Sequence, residues 1–127
     1  MLSLPPSVRV FVARGPTDLR KGFDGLEGLA REVIEQDPMS GHLFVFFNRR
    51  RDRVKILVWD RTGYVLFYKR LERGRFEIGA LDFGDGESVE VLSSDLMLLL
   101  DGIDMRSARR LPRYEDRVSR KVRRLLH

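Results

Sequence analysis

Five consecutive apolar residues, Leu43-Phe44-Val45-Phe46-Phe47, run directly into Asn48-Arg49-Arg50-Arg51-Asp52-Arg53, and this junction constrains the fold more than any other feature of the chain. A strand turns its side chains alternately to two faces, so an unbroken apolar run needs cover on both. The run is therefore expected to be a central strand buried on both faces, or else an interface. The charged residues that follow cannot go with it into a core. Asn48 and Asp52 are turn formers, and the arginines between them must project into solvent. Residues 54–60 are apolar again, which makes a β-hairpin the natural reading.

The remaining pattern extends this unit. Arg61-Thr62-Gly63 forms a second short turn into residues 64–71, and Gly74 precedes a short strand expected around Arg75 to Ile78. Three or four antiparallel strands in succession make a meander, with one apolar face for a helix to cover. That helix is expected upstream. Leu19, Phe23, Leu26, Leu29, Ala30, Val33 and Ile34 recur at helical spacing after Thr17 and Asp18, either of which can serve as an N-cap. Gly22, Gly25 and Gly28 lie within the stretch at roughly 1 kcal/mol each relative to alanine. Their three-residue spacing suggests a smooth edge packed closely on the sheet. Val8-Arg9-Val10-Phe11-Val12 and Val89-Glu90-Val91 read as further short strands, and residues 79–88 as a loop. A short second helix follows, capped by Ser93 or Ser94 and ended by Gly102. The expected class is α+β: a small antiparallel β-meander packed against an N-terminal amphipathic helix, with a short second helix and a basic helical tail. Residues 1–105 would be one compact domain, and residues 106–127 a basic linker and amphipathic helix.

Composition bounds the function. The chain has 127 residues and no cysteine, which suits one domain and excludes disulfides, thiolate nucleophiles and cysteine-ligated zinc. Its longest apolar runs fall far short of the ~20 residues of a membrane span. The N-terminus lacks a signal-peptide pattern, so a cytoplasmic protein without a membrane partner is expected. The charge is distributed in blocks. Residues 42–79 carry ten basic and four acidic side chains, and residues 106–127 carry nine basic and two acidic. Between them, residues 80–105 carry seven acidic and no basic side chains. Such blocks repel internally unless an opposite charge neutralises them. Either a polyanion binds, or basic and acidic blocks pair within the molecule.

Four strings go beyond pattern: Arg14-Gly15-Pro16-Thr17-Asp18-Leu19-Arg20-Lys21-Gly22-Phe23-Asp24-Gly25-Leu26, Gly41-His42-Leu43-Phe44-Val45-Phe46, Asn48-Arg49-Arg50-Arg51-Asp52-Arg53-Val54-Lys55, and Trp59-Asp60 through Tyr68-Lys69-Arg70-Leu71-Glu72. In that order they resemble the short accessory protein, called TnpB, of insertion-sequence-66-type bacterial transposable elements. Phe47 stands where that family favours a polar or basic residue, and Phe67 where it often has tryptophan. The resemblance implies a role in transposition beside a separate, larger transposase that carries the strand-transfer chemistry. It supplies no catalytic residues.

The residues themselves point to nucleic acid. Arginine contacts phosphates and guanine edges bidentately, and a two-stranded ribbon fits a major groove. Arg49, Arg50, Arg51, Arg53 and Lys55 are the first candidates. Lys69, Arg70, Arg73 and Arg75 extend the patch, with Tyr64, Tyr68 and Trp59 as candidate stacking faces. In the tail, Arg117, Arg120, Lys121 and Arg124 lie between Tyr114, Val118, Val122, Leu125 and Leu126 as a second phosphate-binding element. A nuclease-like carboxylate set (Asp18, Asp24, Asp52, Asp60 and Glu72) is the weaker reading, because cap, turn and helix-surface roles explain its members. Thr17 to Gly22 lacks the residue order of a phosphate loop. His42 and His127 have no visible ligand partners, so no metal or cofactor is expected. The rival class is a protein-interaction adaptor. It would dock onto the transposase through the acidic block, the 43–47 strand or the 96–100 helix, and an exposed edge strand leaves a homodimer open.

Overall fold

A computed structural model of the chain describes residues 5 and 7–101. In chain order the elements are β1 (Val10–Ala13), α1 (Phe23–Glu32), β2 (Leu43–Phe47), β3 (Arg53–Trp59), β4 (Tyr64–Arg70), β5 (Ser88–Val91) and α2 (Ser93–Leu100). The fold is α+β, with five strands in the order β4-β3-β2-β1-β5. The apolar run is thus the middle strand, and both of its faces are covered. On one face Phe44 and Phe46 meet Phe11, Leu57 and the α1 residues Leu26 and Ala30. On the other, Leu43, Val45 and Phe47 meet Val10, Val12, Ile56, Phe76 and the α2 residues Leu96 and Leu100. Burial on both faces decides between the two readings of the run: it is core, not interface.

The meander is present but is only part of the sheet. β2, β3 and β4 pair antiparallel in sequence, with Phe47 opposite Val54 and Arg53 opposite Arg70. β1 pairs parallel with β2, Phe11 opposite Phe44, and β5 closes the far edge antiparallel to β1. The sheet is therefore mixed rather than an antiparallel meander alone. A parallel pair needs a crossover of a dozen or more residues, which the segment containing α1 provides.

The segment from Arg75 to Ile78 is not a strand. Its alternation comes instead from Phe76 entering the core, where its ring lies 5.3 Å from that of Phe47. Its N–H donates to the Arg51 carbonyl at 2.6 Å, which ties this loop to the hairpin turn.

Helix α1 begins later than the periodicity suggests. Thr17 does not cap it; its N–H donates to the Phe47 carbonyl at 2.8 Å and holds the chain against the end of β2. The Asp18 carboxylate instead accepts the Arg20 N–H at 3.0 Å in a local turn. Neither helix has a side-chain cap, so the expected Ser93 or Ser94 cap is also absent. The three glycines do not make a close-packed edge either. A Cβ at Gly22 or Gly28 would meet open space, and one at Gly25 would meet only the Lys21 side chain. Gly102 and the basic tail lie outside the described residues. Among those described, no helix is long and apolar enough to cross a membrane.

Candidate nucleic-acid interface

The hairpin turn is built by one side chain. Asn48 Oδ1 accepts the N–H groups of Asp52 and Arg53 at 3.1 and 3.0 Å, while Asn48 Nδ2 donates to Asp52 Oδ1 at 2.7 Å. This last bond, and then the nearby Arg50 and Arg53, hold the Asp52 carboxyl below its usual range despite some desolvation. Arg51 takes the left-handed conformation, φ 59°, that lets the chain reverse here. The Asp52 carbonyl accepts the Leu71 N–H at 2.7 Å, so the turn and the chain after β4 are bound together.

One end of the sheet therefore collects Arg49, Arg50, Arg51, Arg53, Arg70, Arg73 and Arg75, all exposed. The turn divides the first four between two sides. Arg49 and Arg51 border a cavity of about 400 Å³ beside Phe47, Ile78, Leu81 and Phe83 on the α2 side. Arg50 and Arg53 border a groove of about 330 Å³ on the α1 side, with Asp18, Arg20, Asn48, Asp52 and Tyr68. Arg53 Nη1 donates to the Tyr68 hydroxyl at 3.1 Å.

The two lysines do not join this exposed set. Lys55 is only 8% exposed. Its Nζ donates to the Lys21 carbonyl at 2.9 Å and lies 4.9 Å from the centre of the Tyr68 ring. Lys69 points to the opposite face, where its Nζ donates to the Leu100 carbonyl at 2.7 Å, at the end of α2. Both ammonium groups are occupied in joining elements, so their fit to the phosphate-contact role is poor. Arg70 is exposed but paired with Glu72 at 2.9 Å. Arg117, Arg120, Lys121 and Arg124 lie outside the described residues.

Sequence reasoning missed the 14–21 loop as part of this end. Because β1 runs parallel to β2, its C-terminal end lies beside the hairpin, and Arg20 enters the α1-side groove. Summing charge over residues 1–41 hides this, since the net there is close to neutral. Spacing alone could have flagged Arg14, Arg20 and Lys21 as a local basic cluster. Arg14 Nη1 is engaged by the Gly84 and Gly86 carbonyls, each at 2.9 Å.

Arg20 is bound to Asp18 at 2.6 Å. Hydrogen bonds from the Arg20 side chain and then its backbone lower the Asp18 carboxyl to a pKa of about 2. A lowered carboxylate favours the folded state above its ordinary value of about 3.9, and that contribution disappears as pH falls through about 2. The Asp18 carboxyl resonance should therefore titrate with a midpoint near 2, and Arg20→Ala should return it toward about 3.9. A wild-type midpoint near the ordinary value would mean the pair does not form in solution.

Three of the five carboxylates considered as a metal set are engaged elsewhere, and Asp24 lies in the first turn of α1. Asp18 pairs with Arg20, Asp52 with Asn48 and Glu72 with Arg70, while Asp60 lies in the β3–β4 turn, its N–H bonded to the Gly63 carbonyl. His42 Nδ1 accepts the Arg9 N–H at 2.9 Å and its ring packs edge-on against Phe11. Trp59 and Tyr64 pack against each other at 5.1 Å, at the far end of β3 and β4 from the arginines.

Two proteins of Sinorhizobium fredii, both described as uncharacterized, are similar to this chain over most of their length. Protein y4hO is 40% identical over 106 residues, covering 84% of this chain and 90% of its own. Protein y4jC is 32% identical over 112 residues, covering 88% and 93%. No solved structure matches the chain. The family described as IS66 Orf2 like protein matches residues 8–110, taking in every element of the sheet and both helices. The chain belongs to this family of insertion-sequence-66 accessory proteins and has a transposition-associated role.

Proposed function

We propose that the protein is a non-catalytic DNA-binding accessory of transposition. In this reading it acts in the bacterial cytoplasm beside a separate transposase and holds element-end or target DNA. Residues 1–105 form the binding domain, with Arg49, Arg50, Arg51, Arg53, Arg73 and Arg75 as the principal phosphate contacts. Residues 106–127 add a second basic element through Arg117, Arg120, Lys121 and Arg124.

One observation carries the reading. Among the described residues, no ion pair joins an arginine of the hairpin turn to an acid. Among the described residues the turn arginines are thus not paired with the acidic block, whose Glu90 pairs with Arg9 instead and whose Gly84 and Gly86 carbonyls accept from Arg14. Unpaired like charges concentrated at one end favour a polyanion partner. The adaptor alternative loses two of its three candidate surfaces, because residues 43–47 and most of α2 are core. It retains the exposed acids Asp82, Asp85 and Glu87.

The test is binding to a labelled element-end duplex across a salt series. Each neutralised phosphate contributes about 0.9 to the slope of log K against log salt. Wild type should bind with a steep slope, and a variant with all four turn arginines changed to alanine should bind weakly. Absence of wild-type binding at low salt would reject DNA binding in favour of docking onto the transposase through the acidic loop.

A further inference from the structure

We propose that the α1-side groove takes an unpaired nucleotide of a single-stranded nucleic acid, its base against Tyr68 and its phosphates on Arg20, Arg50 and Arg53. This rests on the nucleic-acid reading above and narrows its ligand. The groove holds about 330 Å³, near the lower end of the roughly 300–1,000 Å³ typical of small-ligand sites. Its three walls are fixed by separate bonds. Lys55 holds the 18–21 loop through the Lys21 carbonyl, Asn48 closes the hairpin turn, and Arg53 fixes the Tyr68 hydroxyl. The groove is set before any ligand arrives.

Tyr68 packs against Lys55 yet remains largely in the open. It is 49% exposed on an edge strand, while the other aromatic residues considered for stacking pack against each other at the far end of the strands. Its ring lies over the Lys55 ammonium, and its hydroxyl is held by a guanidinium. An aromatic ring presented in a cationic groove suits a base with a free face. Bases within a duplex have their faces covered by neighbours, so Tyr68 has nothing to stack on there. Three arginines (Arg20, Arg50 and Arg53) outnumber the two carboxylates in the groove. Asp18 is bound to Arg20 and Asp52 to Asn48.

The test compares a short fluorescein-labelled oligodeoxythymidine with its matched duplex at one low salt concentration, using the full chain. Wild type should prefer the single strand. Tyr68→Leu, which still covers the Lys55 stem, should weaken single-strand binding on the order of tenfold or more, with duplex binding unchanged. Tyr68→Trp should retain single-strand binding. Equal affinity for both probes, or single-strand binding indifferent to Tyr68→Leu, overturns the groove proposal. If the turn arginines still govern duplex binding in that case, the DNA-accessory reading survives. Binding of neither probe by wild type overturns both.

Discussion

Phe44→Ala is expected to lower folding stability by about 3–5 kcal/mol, the range for removing a large aromatic side chain from a core. Phe44 is fully buried on the middle strand. Its ring stacks on Phe11 with centroids 5.8 Å apart, in the cluster that includes Leu26 and Ala30 of α1. The deletion would leave a cavity between sheet and helix that a strand with two paired neighbours cannot collapse to fill. Domains are typically stable by only about 5–15 kcal/mol, so this one change would remove much of the total. Phe67→Ala is the control. It sits 38% exposed on the edge strand β4 and should cost about 1 kcal/mol or less. Urea denaturation of the two variants reads the difference directly. Equal losses would mean that α1 does not cover this face of the sheet.

The contrast between these two phenylalanines also marks how far the fold was legible in the sequence. The β2–β3–β4 meander was readable because its signals are local: an apolar run, a turn dictated by Asn48 and Asp52, and a second apolar run. The pairing of β1 was not. Val8 to Val12 reads as a strand, but the place of β1 between β2 and β5 depends on partners that are distant in sequence. That unread pairing also concealed the groove, since only the parallel β1–β2 arrangement brings Arg20 beside Arg50 and Arg53. Arg75-Phe76-Glu77-Ile78 misled in the opposite sense. Two apolar residues at alternate positions imitate a strand even when a single buried ring, Phe76, accounts for the placement. The lysines show a third limit. Sequence identifies Lys55 and Lys69 as basic neighbours of an arginine cluster, yet strand alternation sends them to opposite faces, where backbone carbonyls take their ammonium groups.

Alternation at the turn leads to the second large effect. Since Arg50 and Arg53 border one side of the hairpin and Arg49 and Arg51 the other, two double variants separate the ways DNA could meet it. If the turn enters a duplex groove as a wedge, phosphates of both strands flank it and both pairs are used. Arg49→Ala with Arg51→Ala, and Arg50→Ala with Arg53→Ala, should then each reduce the salt slope by about 1.8, and all four changes together by about 3.6. If the DNA instead lies along the α1 side, the Arg50/Arg53 pair should account for nearly the whole loss. The wedge is the expected result for an element-end duplex, because a two-stranded ribbon suits the width of a major groove and the Asn48 network keeps the turn rigid enough to enter it. Additivity is part of the prediction. The pairs lie on opposite sides and share no bond, so a combined effect well below the sum would mean that the arginines act through the shape of the turn rather than through separate phosphates.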